Sequence, residues 1–503
     1  MTRNRIILLA AIFTFPFSFS FSFSLPTCAQ APAEDPVSEA MKQSLVFLEI
    51  AAYPYDHYRP WKRMDVIQRT ACGNAVGPYE VITTASRVTD AAFIRARRFG
   101  QNEYINAQIQ VVDYDSNLCL LQLDRNSMTK PLQPLEFSET YQKGAQVDYY
   151  WLSSIGRMQS GRGYIEDHKV LKSTLSHAHF LNYLIGNISQ SASSAQVFFM
   201  EGKPIGIAAS SSKTNKTARV IPAERIRHFL EDVAEGDYQG FPAFGFDTNE
   251  LLDPTLRKYL NMPPEMQQGA YVREVHTLGT GSEELKSGDV ILAIEGAQLD
   301  AHGRYIDPKF GQIGFPHLIS RRKIGESLQF EIWRDGKKET LAVKTQNFAA
   351  HEMLIPYYEF DRQPKYLVTA GFVLQRLTRP YLMKWGSDWQ GKVDPHIYHY
   401  LQQMSYKPSE QRKEIVILSH VNPADINLGY HSMRQEIVKT VNGKTIASIQ
   451  DIADALKLNP DSRYDVIEFE HSNPTVVIDR SQLAQADALI SQRYGIEKLV
   501  NIE

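Results

Sequence analysis

Cysteine is nearly absent from this 503-residue chain, occurring only at Cys28, Cys72 and Cys119. So few exclude a disulfide framework. Neither Cys72 nor Cys119 has a neighbouring His or Cys at metal-ligand spacing. An excess of one charge is also lacking. Against 57 Asp and Glu stand 54 Lys and Arg, a formal net charge of −3, which points to neither nucleic acid nor an anionic membrane as a partner. There is no glycine-rich phosphate loop and no cluster of metal ligands, so no cofactor and no metal are expected. After the first thirty residues, no run approaches the roughly 20 apolar residues of a spanning helix.

What is present is the composition of a globular protein, 43% hydrophobic and 22% charged, with length for about three domains. The amino terminus departs from the rest. Arg3 and Arg5 precede an apolar Phe-Ser-rich run from Ile6 to Leu25, and small residues follow at Thr27–Ala31. That is the layout of a secretory signal peptide over residues 1–31, with cleavage after Ala29 or Ala31 as alternatives. It predicts an exported protein of the periplasm or cell envelope, with no transmembrane span once the signal is removed. A lipid anchor on Cys28 and an uncleaved anchor are the other readings of this stretch.

Residues 36–235 carry short β-branched runs between turns, among them Val81–Thr84, Ala107–Val112, Leu118–Leu123, Gln146–Leu152 and Val197–Phe199. Such spacing predicts an all-β barrel or sandwich. Cys72 and Cys119 both fall on core strands here. One bridge and two buried thiols both remain open, and the Cα separation decides. The run Val220-Ile221-Pro222-Ala223 leads into a predicted helix with Ile226, Phe229 and Leu230 on one face.

Three stretches then stand in order. Val81-Ile82-Thr83-Thr84-Ala85-Ser86 is an apolar strand with a polar end. Asp113-Tyr114-Asp115-Ser116-Asn117-Leu118 is a turn into a second strand. Ser191-Ala192-Ser193-Ser194-Ala195-Gln196 precedes a third. Together they resemble the trypsin-like proteases of the Deg/HtrA type. The resemblance implies a double β-barrel with a catalytic triad. It sets Ser193 at the nucleophile position, Ser86 where the family has histidine and Asn117 where it has aspartate.

The chemistry at those positions is degraded. A serine hydroxyl needs an adjacent base, and the base needs an orienting carboxylate. Ser86 offers no basic site in the working pH range, and Asn117 carries no charge. Ser191, Ser194 and Ala195 replace glycines where the oxyanion turn calls for positive φ, which raises its steric cost. A rebuilt site would need His177 or His179 to reach Ser193, with Asp113 or Asp115 in support; His57 precedes the motif and is a weaker candidate.

Two further modules follow. In residues 240–346, Gly288-Asp289-Val290-Ile291-Leu292-Ala293-Ile294-Glu295-Gly296 and the stretch Ile313–Ser320 resemble the first PDZ domain of plant Deg-type proteases. The resemblance implies peptide capture. The loop of Pro242, Ala243, Phe244 and Gly245 would present the backbone N–H groups of its non-proline residues to a peptide carboxylate, and the strand from Phe246 would pair with its backbone. Phe244 and Phe246 are candidate pocket walls, or ordinary core. Residues 350–503 resemble the diverged second PDZ domain of the same proteins. There a groove filled from within is favoured over a second ligand site, and a terminal helix is expected from Arg480.

The expected fold class is therefore mainly β: a trypsin-like double β-barrel followed by two PDZ-like α+β domains. The expected function is an exported pseudoprotease that binds peptides or unfolded proteins as chaperone, adaptor or scaffold, in trimers or hexamers, as the resemblance implies. An active endopeptidase using Ser193 with a nonstandard base, and a structural envelope protein, are the alternatives.

Overall fold

The computed structural model describes residues 36–176, 178–189, 194–347, 350–471 and 475–502. The expected signal segment, Cys28, His177 and Ser193 lie outside the described residues.

The described chain is mainly β. Helix α1 (Pro36–Ser44) leads into six strands: β1 (Leu45–Ala52), β2 (Ile67–Ala75), β3 (Glu80–Thr83), β4 (Ala91–Arg98), β5 (Ile105–Asp113) and β6 (Leu118–Leu123). They close as a barrel in the order β1-β2-β3-β6-β5-β4. The short helix α2 (Ala85–Val88) follows β3. A second closed barrel, ordered β10-β11-β12-β9-β8-β7, is built from β7 (Gln146–Leu152), β8 (Met158–Lys172), β9 (His179–Gly186), β10 (Val197–Met200), β11 (Lys203–Ser212) and β12 (Thr217–Pro222). Closure leaves no open sheet edge in either barrel. Glycines fit large rings into the second one. A Cβ on Gly161 of β8 would lie 2.3 Å from Tyr149 Cζ, and Tyr149 is fully buried, stacked at 4.8 Å on Phe198. Helix α3 (Ala223–Glu235) buries Ile226 and Phe229 and stops at Gly236, whose φ of 88° gives the left-handed cap that glycine adopts without strain.

The first module holds β13 (Phe246–Glu250), α4 (Pro254–Tyr259), β14 (Ala270–Val275), β15 (Val290–Ile294), β16 (Ala297–Gln298), the hairpin β17 (Arg304–Asp307) with β18 (Gly311–Gly314), α5 (Pro316–Ser320), β19 (Ser327–Arg334) and β20 (Lys337–Lys344). Its main sheet runs β13-β14-β15-β19-β20, with β16 on β15. The second module holds β21 (Tyr366–Thr369), β22 (Phe372–Arg376), α6 (Arg379–Leu382), α7 (Pro395–His399), β23 (Val416–Val421), β24 (Glu436–Val441), β25 (Lys444–Thr445), α8 (Ile449–Ala455), β26 (Tyr464–Phe469), β27 (Val476–Asp479), α9 (Arg480–Tyr494) and β28 (Val500–Asn501). Its path β22-β23-β24-β26-β27, with β25 on β24, repeats that of the first module, but β21 and β28 extend the sheet beyond β22.

The units share cores. Barrel residues Tyr141, Tyr183 and Val170 pack in one cluster with Phe246, Phe315 and Ile319 of the first module. The connecting segment 353–361 lays Tyr358 and Phe360 on Tyr114 of the first barrel. Cys72 and Cys119 are buried thiols in different packing clusters, one between the barrels and one inside the first. Among the described residues no helix is long and apolar enough to cross a membrane.

Candidate active site and peptide grooves

Strand β3 delivers Ser86 to the first turn of α2, and the β5–β6 turn brings Asn117 to it. Asn117 sits at φ 60°, a region that asparagine tolerates better than most residues. Its Oδ1 accepts the Ser86 amide at 2.9 Å and its carbonyl accepts the Ala85 amide at 3.2 Å. Positions 86 and 117 therefore meet, but through the backbone of Ser86 rather than a side-chain proton relay.

The second barrel approaches from the other side. Ser194, next to the undescribed Ser193, accepts the Cys72 amide on its carbonyl at 3.1 Å. Its hydroxyl accepts a hydrogen bond from Arg87 Nε at 2.7 Å. A guanidinium carries N–H donors and no acceptor. It donates to an oxygen and takes no proton from one. Sequence reasoning missed Arg87; its partner lies 107 positions away, and no local pattern marks it. Ala195 then takes φ 62° while wholly buried. Its amide donates to Ala208 O at 2.8 Å and its carbonyl accepts from Asn74 Nδ2 at 2.8 Å. The left-handed turn thus survives without its glycine, at a cost of about 1–2 kcal/mol for an L-residue.

The candidate groups for a rebuilt site that lie among the described residues are engaged elsewhere. His179 stacks on Phe244 of the first module at 5.1 Å. His57 lies in the loop that docks on the second module. Asp113 accepts the Asp115 and Ser116 amides at 2.8 and 3.3 Å and the Tyr238 hydroxyl at 2.5 Å. The Asp115 carboxyl titrates above its ordinary range, because burial and then the nearby Asp113 charge disfavour its ionised form. Among the described residues, no group of three or more His, Cys, Asp or Glu could hold a metal ion.

In the first module, β13 is the terminal strand of its sheet. The preceding loop is closed on itself. Ala243 N donates to Gln346 O at 2.9 Å and Gly245 N to Thr280 O at 2.8 Å. The expectation that Pro242–Gly245 presents its amides outward is corrected at these two positions. Both are taken by the strand end and loop packed beside them. A Cβ at Gly245 would lie 2.7 Å from Leu278 O, so only glycine fits. Phe244 and Phe246 are 5.8 Å apart and each approaches Phe315. The three rings join the core shared with the second barrel.

In the second module, β21 and β22 form a hairpin. Ala370 and Gly371 turn the chain at φ 49° and 84°. Strand β22 pairs with β21 on one side and β23 on the other, and β21 pairs onward with β28. The edge that β13 leaves unpaired in the first module is here occupied by the chain itself. Asp487 Oδ1 of α9 accepts the Ala370 amide at 2.7 Å, and burial raises this carboxyl to about 6.

Comparison with known proteins agrees with the resemblance read from the sequence. The family described as PDZ domain matches residues 355–500. The chain is 28% identical to Protease Do-like 2, chloroplastic, of Arabidopsis thaliana over 88% of its own length and 72% of that protein's. It is 23% identical to Protease Do-like 4, mitochondrial, of the same plant over 87% and 81%. Among solved structures, the HtrA-type protease AlgW with decapeptide aligns with 63% of this chain and 99% of its own, at 16% identity and a TM-score of 0.46. The chain is similar to the Deg/HtrA-type, PDZ-containing proteases, and its likeness runs to plant members.

Proposed function

We propose that this chain, similar to the Deg/HtrA-type proteases, is a pseudoprotease that binds peptides or unfolded proteins as chaperone, adaptor or scaffold. The observation that carries the reading is the Arg87–Ser194 contact beside Ser86 and Asn117. A guanidinium, which has donors and no acceptor, engages Ser194, and the Asn117 side-chain oxygen that could orient a base is taken by the Ser86 amide. The terminal position of β13 supports peptide addition along its edge. Its loop amides would have to exchange partners before clamping a carboxylate.

The wider reading is an exported protein cleaved after Ala29 or Ala31, placed in the periplasm or envelope and assembled as trimers or hexamers. Its relatives are named as proteases, which keeps a second reading in view: an endopeptidase using Ser193 with a base rebuilt from outside the described residues, His177 included.

The test is suppression of aggregation of a thermally unfolded client, with capture of C-terminal peptides measured in parallel. The proposal expects protection of the client without loss of client mass. No protection and no peptide retention contradicts it. N-terminal sequencing, fractionation and mass measurement of the native assembly test export and oligomer size.

A further inference from the structure

The loop between β1 and β2 does not end at the first barrel. Tyr58 stacks on His420 of β23 at 4.2 Å with the rings 16° apart, and its edge meets Trp385 at 6.3 Å. Trp61 Nε1 donates to Tyr494 O at 3.3 Å, and Gln363 Nε2 donates to Pro60 O at 3.0 Å. His57 sits beside Tyr58 with its Nδ1 sealed from solvent and without a hydrogen-bond partner. His420 is 8% exposed, its Nδ1 2.8 Å from Ser419 Oγ. Two imidazoles thus lie at the seam where Tyr58 and Trp61 dock the first barrel on the second module.

Their charged surroundings are cationic. Asp56 is the carboxylate that acts on both, and Arg59 at 3.1 Å and Lys384 at 3.0 Å already hold it. Lys384 opposes a charge on His57 and Arg59 opposes one on His420, while the Asn422 side chain favours it. Arg434 faces Tyr58.

We propose that mild acid unlatches the second module from the first barrel, with His57 and His420 as paired triggers. A proton on either ring adds positive charge to a seam where cations outnumber the carboxylate. Opening returns both rings to water. It also withdraws Tyr406 and Tyr357, which pack with Met353 over Ala243 in the first module's loop, and Tyr406 O from its bond with Thr277. Acid would therefore uncover the loop that precedes β13. The proposal holds whether or not the chain cleaves peptides.

Burial, first, holds both imidazoles at about 4. A depressed histidine stabilises the closed form above its ordinary value near 6.5 and loses that contribution as pH falls toward 4. At pH 5 each ring raises the opening constant about thirtyfold, and the two together on the order of a thousandfold.

The test is hydrogen exchange of the full chain at pH 7.5 and 5.0, corrected for intrinsic rates and followed in segments 53–64 and 416–421. The expected result is deprotection of both segments at pH 5.0, with barrel strands such as β8 unchanged. His57→Gln with His420→Gln should flatten the response, and each single substitution should halve it on a logarithmic scale. Unchanged protection in the wild type, or an equal response in the variants, overturns the proposal. NMR titration of the wild-type imidazoles guards against a misfolded variant. Values near 6.5 without opening also overturn it.

Discussion

Arg87 reaches across the barrel interface to Ser194, its Nε 2.7 Å from the hydroxyl oxygen. The contact fixes a cation between the strand that should supply a base and the loop that should supply a nucleophile. Restoring letters elsewhere leaves it in place. The double substitution Ser86→His with Asn117→Asp is therefore expected to leave casein hydrolysis at buffer background. A fluorogenic casein assay checks this, and a rate above background would show that the 190–195 loop is already shaped for catalysis.

Ala195 holds φ 62° in a fully buried turn. Glycine at this position removes a left-handed strain of about 1–2 kcal/mol and returns part of it as unfolded-chain entropy. Ala195→Gly should raise unfolding stability by up to about 1 kcal/mol in urea melts. A loss of stability would contradict the strained-turn account.

Arg376 anchors the linker to the second module. Its guanidinium donates to His351 O at 2.9 Å and Met353 O at 2.7 Å, and faces Glu359 at 3.5 Å and Glu414 at 3.4 Å. Arg376 and Glu359 are each 4% exposed. Removing one partner strands a buried charge, so Arg376→Leu should cost about 3–5 kcal/mol and open residues 350–363 to limited proteolysis. Retained resistance would show that the aromatic contacts of Tyr358 and Phe360 hold the linker alone.

Asp487 predicts a pH response opposite in sign to that of the seam histidines. Its carboxyl is raised to about 6 by burial. The folded form therefore binds the extra proton, and stability contributed below the unfolded value is lost as pH rises through 6. The wild type should gain stability relative to Asp487→Asn between pH 7 and pH 5. Paired urea melts at the two values check the difference, and parallel curves would contradict it.

Much of this architecture was legible because it is local. Leu118–Leu123 and Gln146–Leu152 are strands at the expected bounds, since apolar runs between turn residues leave few alternatives. The α3 face of Ile226 and Phe229 followed from helical spacing. Ser86 and Asn117 meet because β3 and β6 are paired neighbours in the first barrel. What escaped depends on distant partners. Nothing around Arg87 announces Ser194. Ala370-Gly371 lacks the Asn-Gly signature of a two-residue hairpin, so the self-occupied edge of β22 had to be seen. Nothing within the aromatic loop at Tyr53–Trp61 announces its docking on His420.

The most direct measurement of the central claim is degradation of unfolded casein by the purified protein, beside Ser193→Ala, across a range of pH. The account predicts no cleavage by either protein at any pH. Cleavage by the wild type that Ser193→Ala abolishes would contradict it and require a working base within reach of Ser193.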